Sequence, residues 1–600
     1  MGSTVFARRE YEVPATDAVA EDAALTDIVA ELARTTPEFV AFQIPTSNGW
    51  TDVTAARFAA EVRAVSKGLI ASGVRAGDRV ALMSATRYEW TLLDYAIWTA
   101  GACTVAIYDS SATDQARWIL EDSSATLLLV ENVRHLAAVD SIVTPDLRET
   151  LRIDAGAVNT LVERGKAVAD SVIEQRRAEV RATSAATLIY TSGTTGRPKG
   201  VVLTHANLLS EAGSGRRAMA HLFGAGRRTL MFLPLAHVFA RAIAVTALEG
   251  RVTVAHTSDW SNLPEQFATY KPSFILAVPR VFEKVYNGAR QKAHDGGKGR
   301  IFDLAADTAI AWSEASQADG PGLGLRLRHA LFDRLVYSKL RAALGGEMVG
   351  AVSGGGPLGA RLGHFFRGVG LPIYEGYGLT ETSAAITLNT ATDMRVGTVG
   401  KPIDGHGARI AEDGELLLRG PVVFGGYWQN ETATAESFDD GWFRTGDLGA
   451  IDDDGYVSIT GRKKEIIVTA AGKNVSPAVL EDSLRAHALI GQCMVIGDGR
   501  PFIGVLITLD REALPGWAQR HGLDSATPIE EFASHPELIA EIDAAVAETN
   551  GKVSKAEAIK KIRILTSDWT QETGELTPKM SLKRTVVQEK YAADIAAVYA

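Results

Sequence analysis

Between Arg79 and Val130, three short apolar runs (Arg79 to Met83, Thr104 to Tyr108, Thr126 to Val130) alternate with two stretches of helical patterning, Trp90 to Thr99 and Asp114 to Leu120. Short apolar runs without polar alternation suit strands buried on both faces, and the intervening helices supply the crossovers that parallel strands need. The spacing therefore predicts βαβ units in a parallel sheet and places the bulk of the chain in the α/β class. Upstream, Leu25, Ile28, Val29 and Leu32 follow the helical i, i+3, i+4, i+7 template, as Phe58, Val62, Val65 and Leu69 nearly do. A chain of 600 residues exceeds what one core serves, so at least two domains are expected.

The pattern changes after about residue 405 to short strands (Arg409 to Ile410, Glu415 to Arg419, Leu448 to Ile451, Tyr456 to Thr460) separated by Asp/Gly turns. A compact α+β unit follows. Lys464 to Thr469 reads as a strand, Ser476-Pro477 as an N-cap with proline at the first helical position, and Cys493 to Ile496 with Phe502 to Leu509 as a hairpin around Gly497 to Arg500. The expected division is a large N-terminal domain over 1–460, with parallel-rich sheets and a β-rich subdomain, and a small C-terminal domain over 463–600 joined to it at 461–462. Lys292 to Lys298 and Ser316 to Gly324 read as polar, glycine-rich connections flanking a helix over Ile301 to Ser313. Glycines 320, 322 and 324 do not make a dinucleotide fingerprint, because Leu325 stands where the third glycine belongs and no strand precedes.

A formal charge of -10 argues against a nucleic-acid partner, which calls for a basic face. Cys103 and Cys493 are too few and too far apart for a disulfide framework or a cysteine metal site, which suits a reducing cytoplasm. The N-terminal residues show no secretory pattern, and no run of about 18 apolar residues predicts a membrane span. Peripheral membrane contact stays open.

Tyr190 to Gly200, YTSGTTGRPKG, lies between the apolar runs Ala185 to Ile189 and Val201 to Leu203. Gly193 and Gly196 free the backbone, Thr191, Ser192, Thr194 and Thr195 supply hydroxyl donors, and Lys199 adds positive charge, a set suited to a polyphosphate. It is not a Walker A loop: Arg197 and Pro198 intervene before Lys199, and Gly200 stands where Ser/Thr is required. Downstream, Ser353 to Pro357 (SGGGP) carries the trio Gly354, Gly355, Gly356, which lets backbone lie against a flat base. Tyr374 to Thr382 (YEGYGLTET) offers the Tyr377 ring for that base, the Thr380 hydroxyl for a phosphate and the Glu381 carboxylate for Mg²⁺. In Phe443 to Leu448 (FRTGDL), Asp447 has two oxygens with which to accept from ribose hydroxyls.

In this order, the four segments resemble the phosphate-loop, adenine, AMP and ribose motifs of the adenylate-forming superfamily, which includes acyl-CoA synthetases, luciferases and peptide-synthetase adenylation domains. The resemblance implies ATP and Mg²⁺, with Thr191 and Glu381 as metal contacts. It further assigns Pro357, Glu375, Gly376, Gly378 and Ile459 to the nucleotide site, with Arg462 contacting the nucleotide beside a hinge at 461–462. It implies attack of a substrate carboxylate on the α-phosphorus with loss of pyrophosphate. A lysine near the C-terminus would stabilise that transition state. Leu576 to Arg584 (LTPKMSLKR) resembles the LTP-x-x-K-x-KR ending of long-chain fatty acyl-CoA synthetases, with Ser581 in place of the first lysine of that pattern. This aligns the role with Lys583, and Lys579 is the second choice.

The resemblance implies a second half-reaction with coenzyme A, reached through a loop similar to Gly472-Lys473-Asn474 after the small domain swings. Leu233 to Arg241 (LPLAHVFAR) and Val278-Pro279-Arg280 resemble segments of long-chain fatty acyl-CoA synthetases, which gives His237 a lining or gating role at the acyl site. Further segment similarities suit mycobacterial-type fatty-acid ligases. The expected activity is a long-chain fatty acid:CoA ligase (AMP-forming). Three other readings stay open at this point: a fatty acyl-AMP ligase that loads a carrier protein, a catalytically weak fatty-acid-binding protein, and a luciferase-like oxygenase.

Overall fold

The computed structural model describes residues 9–47, 49–191, 197–524, 526–577 and 580–600. The three predicted apolar runs form the strands Arg79–Met83, Cys103–Ile107 and Leu127–Val130, which pair in parallel with one another. Glu149–Arg152 and Ala185–Thr191 extend this sheet in parallel on either side, and Lys199–Thr204 closes it in antiparallel beside Ala185–Thr191.

A second sheet has nine strands in the order Lys401–Pro402, Thr387–Leu388, Ile373–Tyr377, Gly350–Ser353, Phe274–Ala277, Arg228–Met231, Thr253–His256, Val40–Thr46 and Gly49–Thr54. It is parallel from Ile373–Tyr377 to Val40–Thr46 and antiparallel at both ends. The expected β-rich region is a third, antiparallel sheet, in which Gly407–Ile410, Glu415–Arg419, Trp442–Ile451 and Val457–Arg462 lie side by side.

The C-terminal unit has its own core, including Leu480, Leu484, Trp517 and Ile542. Its predicted hairpin is Ile490–Ile496 with Ile503–Leu509, and Ile559–Leu565 adds in parallel. Three local readings need correction. Of Lys464 to Thr469, only Ile467–Val468 is strand, pairing with Asn474–Val475, while Lys463–Glu465 is a 3₁₀ turn. Ser476 precedes the helix Pro477–Arg485 as expected, yet its hydroxyl does not cap that helix: it donates to Thr460 O at 2.8 Å. The first connection is also shorter than read, since the helix Pro279–Asp295 runs into it.

The helices Tyr88–Thr99 and Val238–Glu249 are buried nearly all round, so neither shows a clean amphipathic stripe. One ion pair joins them. Arg241, 1% exposed, donates from Nε to Asp94 Oδ2 at 2.7 Å and from a terminal nitrogen to Asp94 Oδ1. It also donates to the Thr187 hydroxyl at 2.5 Å, while the Thr104 hydroxyl donates to Asp94 at 2.6 Å. The guanidinium lies 5.2 Å from the ring centres of both Trp90 and Trp98. Thr104 and Thr187 belong to the six-stranded sheet, whereas the Arg241 helix packs on Thr253–His256 of the nine-stranded one, so the pair ties the two sheets together.

Breaking such a pair from one side strands a buried charge. Arg241→Leu is expected to lower unfolding free energy by about 3–5 kcal/mol in urea melts, while Arg241→Met combined with Asp94→Leu loses less than either single change. Equal losses in the single and double variants would contradict this account.

Candidate nucleotide and acyl site

The phosphate loop is carried by an antiparallel strand pair in which Thr191 lies opposite Lys199 and Tyr190 opposite Gly200. Ser192, Gly193, Thr194, Thr195 and Gly196 lie outside the described residues, whereas the loop's ends are well anchored. The Tyr190 hydroxyl donates to Asp122 at 2.6 Å, Trp118 Nε1 donates to Pro198 O at 2.9 Å, and Trp428 N donates to Gly200 O at 2.7 Å. A Cβ on Gly200 would stand 3.1 Å from the Tyr190 ring and 3.2 Å from Trp428, so glycine is required there by close approach.

Tyr427 brings Lys199 and Glu381 together. The Lys199 ammonium sits 4.9 Å from the Tyr427 ring centre, and the Tyr427 hydroxyl donates to Glu381 Oε1 at 2.9 Å. Phe424 N donates to Glu381 O at 2.8 Å, holding the 3₁₀ turn Thr380–Thr382 against the same segment. Burial and the neighbouring carboxylate push the Tyr427 hydroxyl well above its ordinary range, so it remains a donor to Glu381. Sequence reading passed over Tyr427, because a tyrosine in the run Phe424-Gly425-Gly426-Tyr427 has no charge or spacing that marks it out.

The strand Ile373–Tyr377 brings the rest of the nucleotide segments into register beside Gly350–Ser353. Glu375 accepts from Leu358 N at 3.0 Å, which pins the chain just beyond Gly354, Gly355, Gly356 and Pro357. Burial pushes the Glu375 carboxyl up to about 7. Gly376 and Gly378 are places of close approach: a Cβ on Gly378 would fall 1.4 Å from Ala384 O, and one on Gly376 would come within 2.9 Å of Leu388.

Asp447 is 5% exposed and has both carboxylate oxygens engaged. The Tyr377 hydroxyl donates to one at 2.5 Å, and Arg462 Nε donates to the other at 2.8 Å. Each carboxylate oxygen has a further lone pair for a second donor. Tyr377 thus offers its hydroxyl to Asp447 as well as a ring, and Arg462 meets it from the neighbouring strand, where Asp447 pairs with Arg462 and Leu448 with Gly461. Ile459 lies on that strand, opposite Gly449, and packs against the same apolar cluster as Tyr377.

His237 is the N-cap of Val238–Glu249, and its Nδ1 accepts from Phe239 N at 3.2 Å. That helix carries Phe239 and Ile243 into the lining of an apolar cavity shared with Glu211, Met219, Phe223 and Thr246. The cavity holds about 20 Å³, room for one water-sized group. Phe239 also touches the nucleotide side: a Cβ on Gly354 would stand 3.1 Å from its ring. Glu211 is fully inside the protein. Its Oε1 accepts from Ala385 N at 3.1 Å, and its Oε2 has no partner among the described residues. Ala385 follows Ser383 and Ala384, whose φ values of 56° and 127° are strained for non-glycine residues and which come immediately after the Glu381-Thr382 pair.

Other expected residues stand apart. Lys579 lies outside the described residues. Lys583 caps the helix Arg584–Lys590 in the C-terminal unit, with its backbone N–H on Glu575 O. No hydrogen bond or ion pair among the described residues links its side chain to Lys199, Glu381 or Asp447. Gly472, at φ +76°, forms a left-handed turn, and Lys473 pairs with Glu557 at 3.4 Å within the same unit. What faces the nucleotide segments is instead the helix Pro477–Arg485, whose Asp482 adds to the upward push on Glu375. Arg280 and Lys284 tie the two units through Asp510 at 3.0 Å and Glu512 at 2.7 Å.

Residues 29–428 match the model of the AMP-binding enzyme family, and residues 464–600 match that of the AMP-binding enzyme C-terminal domain. The chain belongs to the AMP-binding enzyme family. Over 596 residues it is 56% identical to the long-chain-fatty-acid–CoA ligase FadD15 of Mycobacterium bovis, covering 98% of this chain and 99% of that one. Among solved structures it shares the fold of the anthranilate CoA ligase AuaEII in complex with anthranoyl-AMP, with a TM-score of 0.72 at 20% identity over 96% of this chain and 99% of the other. The Mycobacterium tuberculosis fatty acyl CoA synthetase has the same fold, with a TM-score of 0.62 at 21% identity over 95% and 98% of the two chains.

Within this AMP-binding enzyme the buried Glu211 carboxyl gives a pH signature. Burial pushes it up to about 8, so the folded chain holds a proton that the unfolded chain releases at ordinary carboxylate pH. Stability therefore falls as pH rises from about 4.5 to about 8, by roughly 5 kcal/mol for a displacement of this size. Glu211→Gln keeps an acceptor for Ala385 and removes the ionisation. Melting temperature across pH 5 to pH 8 should drop less in the variant than in the wild type, and parallel curves would refute the assignment.

Proposed function

We propose that this chain is a long-chain fatty acid:CoA ligase. It joins a fatty acid to ATP as an acyl-adenylate with release of pyrophosphate, then passes the acyl group to coenzyme A with release of AMP. The observation that carries the reading is the placement of Phe239, which lines the apolar cavity on one side and lies against Gly354 of the nucleotide segment on the other. A carboxylate beside Phe239 would stand next to a nucleotide's α-phosphate, and because the cavity holds only about 20 Å³ an acyl chain would enter it by pushing the apolar lining apart. Full-length likeness to an enzyme named as a long-chain-fatty-acid–CoA ligase supports the same substrate class.

In the first step a carboxylate oxygen bonds to the α-phosphorus as the bond to the β-phosphate oxygen breaks. Thr191, Ser192, Gly193, Thr194, Thr195, Gly196 and Lys199 hold the polyphosphate, Thr380 the α-phosphate, and Gly354 to Pro357 with Glu375 to Gly378 the base. Asp447 accepts from the ribose hydroxyls while Tyr377 and Arg462 keep its oxygens oriented. Glu381 and Thr191 would hold Mg²⁺: Tyr427 donates to Oε1 of Glu381, and Mg²⁺ typically takes one or two protein oxygens with phosphates and water completing its shell. When bound, the ion neutralises charge on the phosphates. In the second step the CoA sulfur bonds to the acyl carbon and AMP leaves.

Lys583 must approach the phosphates to stabilise the charge that develops in the first step. Lys583 belongs to the C-terminal unit, where its backbone N–H donates to Glu575 O, so reaching the phosphates would take a swing of that unit about Gly461-Arg462. Such a swing would release the Arg280–Asp510 and Lys284–Glu512 pairs. Gly472 and Lys473 then border the CoA path.

Fatty-acid-dependent exchange of pyrophosphate into ATP, measured without CoA, isolates the first step. Lys583→Ala should reduce it by roughly 10²- to 10³-fold, yet still convert supplied acyl-adenylate and CoA to thioester. Equal loss in both assays would remove Lys583 from this role. Gly472→Leu should do the reverse, sparing exchange and depressing thioester formation. Its Cβ meets nothing within 4 Å, so the local backbone cost is only about 1–2 kcal/mol. Unchanged thioester output would move the CoA path elsewhere.

A further inference from the structure

A row of leucines lies on the surface outside the segments assigned to the reaction. Leu323, Leu327, Leu331 and Leu335 recur every four residues along the helix Leu323–Phe332 and the π turn Asp333–Tyr337, and they are 79%, 75%, 55% and 47% exposed. Spacing by four advances a helical stripe by about 40° per step, and the wider π turn takes up part of that drift near Leu335.

The opposite face is what fixes this helix to the protein. Phe332 and Tyr337 are buried, the Tyr337 hydroxyl donates to Ala305 O at 2.7 Å, and the His329 ring, stacked on Trp312, donates to Gly368 O at 2.6 Å. The leucines are therefore held outward. The Tyr337 contact also sets the first turns of the helix Gly299–Gln317 alongside, with Ile301 and Leu304 exposed as well. An apolar surface of this size is unusual on a protein that leaves it bare.

Charge selects what covers it. Between 322 and 341 stand Arg326, Arg328, Arg334, Lys339 and Arg341 against Asp333 alone, in a chain whose net charge is -10. Arg326, Arg328, Arg334 and Lys339 are exposed among the leucines, and Asp333 is already paired with Arg341 at 2.7 Å. A second copy docking on this face about a two-fold axis would set the same arginines against one another. An anionic bilayer offers negative headgroups to the arginines and an acyl layer to the leucines. No described helix is long and apolar enough to cross a membrane, so this one would lie in the interface plane.

We propose that the Leu323–Leu335 ridge, with Ile301 and Leu304 beside it, is a docking surface for an anionic lipid bilayer. The surface brings the protein to the phase in which long acyl chains partition, and its binding is independent of the reaction proposed above.

The test is flotation of the full chain with phosphatidylglycerol-rich and with phosphatidylcholine vesicles. The wild type should bind the anionic vesicles and lose them as salt rises. Arg326→Gln, Arg328→Gln and Arg334→Gln together should weaken binding by roughly a hundredfold, about fivefold for each charge. Leu323→Ser, Leu327→Ser and Leu331→Ser together should abolish flotation while leaving the melting temperature and pyrophosphate exchange with a short-chain acid unchanged. Absence of wild-type flotation, or equal flotation of the leucine variant, overturns the proposal. So does a wild-type dimer in light scattering that the leucine variant turns into monomer, since a second copy would then be the occupant.

Discussion

Asp447 is the point at which two sheets of this protein meet, next to the junction with the C-terminal unit. Tyr377 reaches it from the nine-stranded sheet, its own strand belongs to the antiparallel sheet, and Arg462 comes from the last strand before the C-terminal unit. A carboxylate so enclosed stays in place only because both of its oxygens have donors, one of them charged. Its geometry therefore reports the relative placement of the Tyr374–Thr382 segment, the Phe443–Leu448 segment and the Gly461–Arg462 junction at once. Gly461 next to it shows how tight the junction is: a Cβ there would come within 2.7 Å of the Ser476 hydroxyl, which is spent on Thr460 O instead of capping its own helix.

A second coupling runs through Glu211. Its one hydrogen bond among the described residues goes to Ala385, just after the strained pair Ser383 and Ala384 and close behind Glu381. The same carboxyl lines the small apolar cavity, so that cavity and Glu381 lie at two ends of one short segment. Strain of this kind persists where surrounding structure over-determines it, and here Thr382, Ser383 and Phe424 each hold the segment by hydrogen bonds. Phe239 divides the two spaces and is positioned by the helix that His237 caps.

Much of this was legible in the sequence because it rests on local patterning. Apolar runs from Arg79 to Val130 marked the parallel strands to within one residue, and the glycines of the YEGYG segment marked places where the chain approaches itself closely. The chain's place in the AMP-binding enzyme family was legible in four motifs taken in order. What escaped were residues whose role depends on long-range contact: Tyr427 between Lys199 and Glu381, Glu211 against Ala385, Arg280 across to Asp510. Each looks ordinary among its sequence neighbours. Lys464 to Thr469 failed as a strand because its apolar residues serve a turn and a two-residue ladder, a distinction that composition does not carry. The leucines of 323–335 were hidden for a related reason, since spacing by four reads the same whether the stripe is buried or bare.

The account stands most directly on one measurement: purified protein with ATP, Mg²⁺, CoA and a long-chain fatty acid, with pyrophosphate, AMP and acyl-CoA quantified in the same samples. It predicts all three products in equal amounts, with acyl-CoA absent when CoA is withheld. Pyrophosphate and AMP without thioester, or no products from any acid across a graded series of lengths, would contradict it.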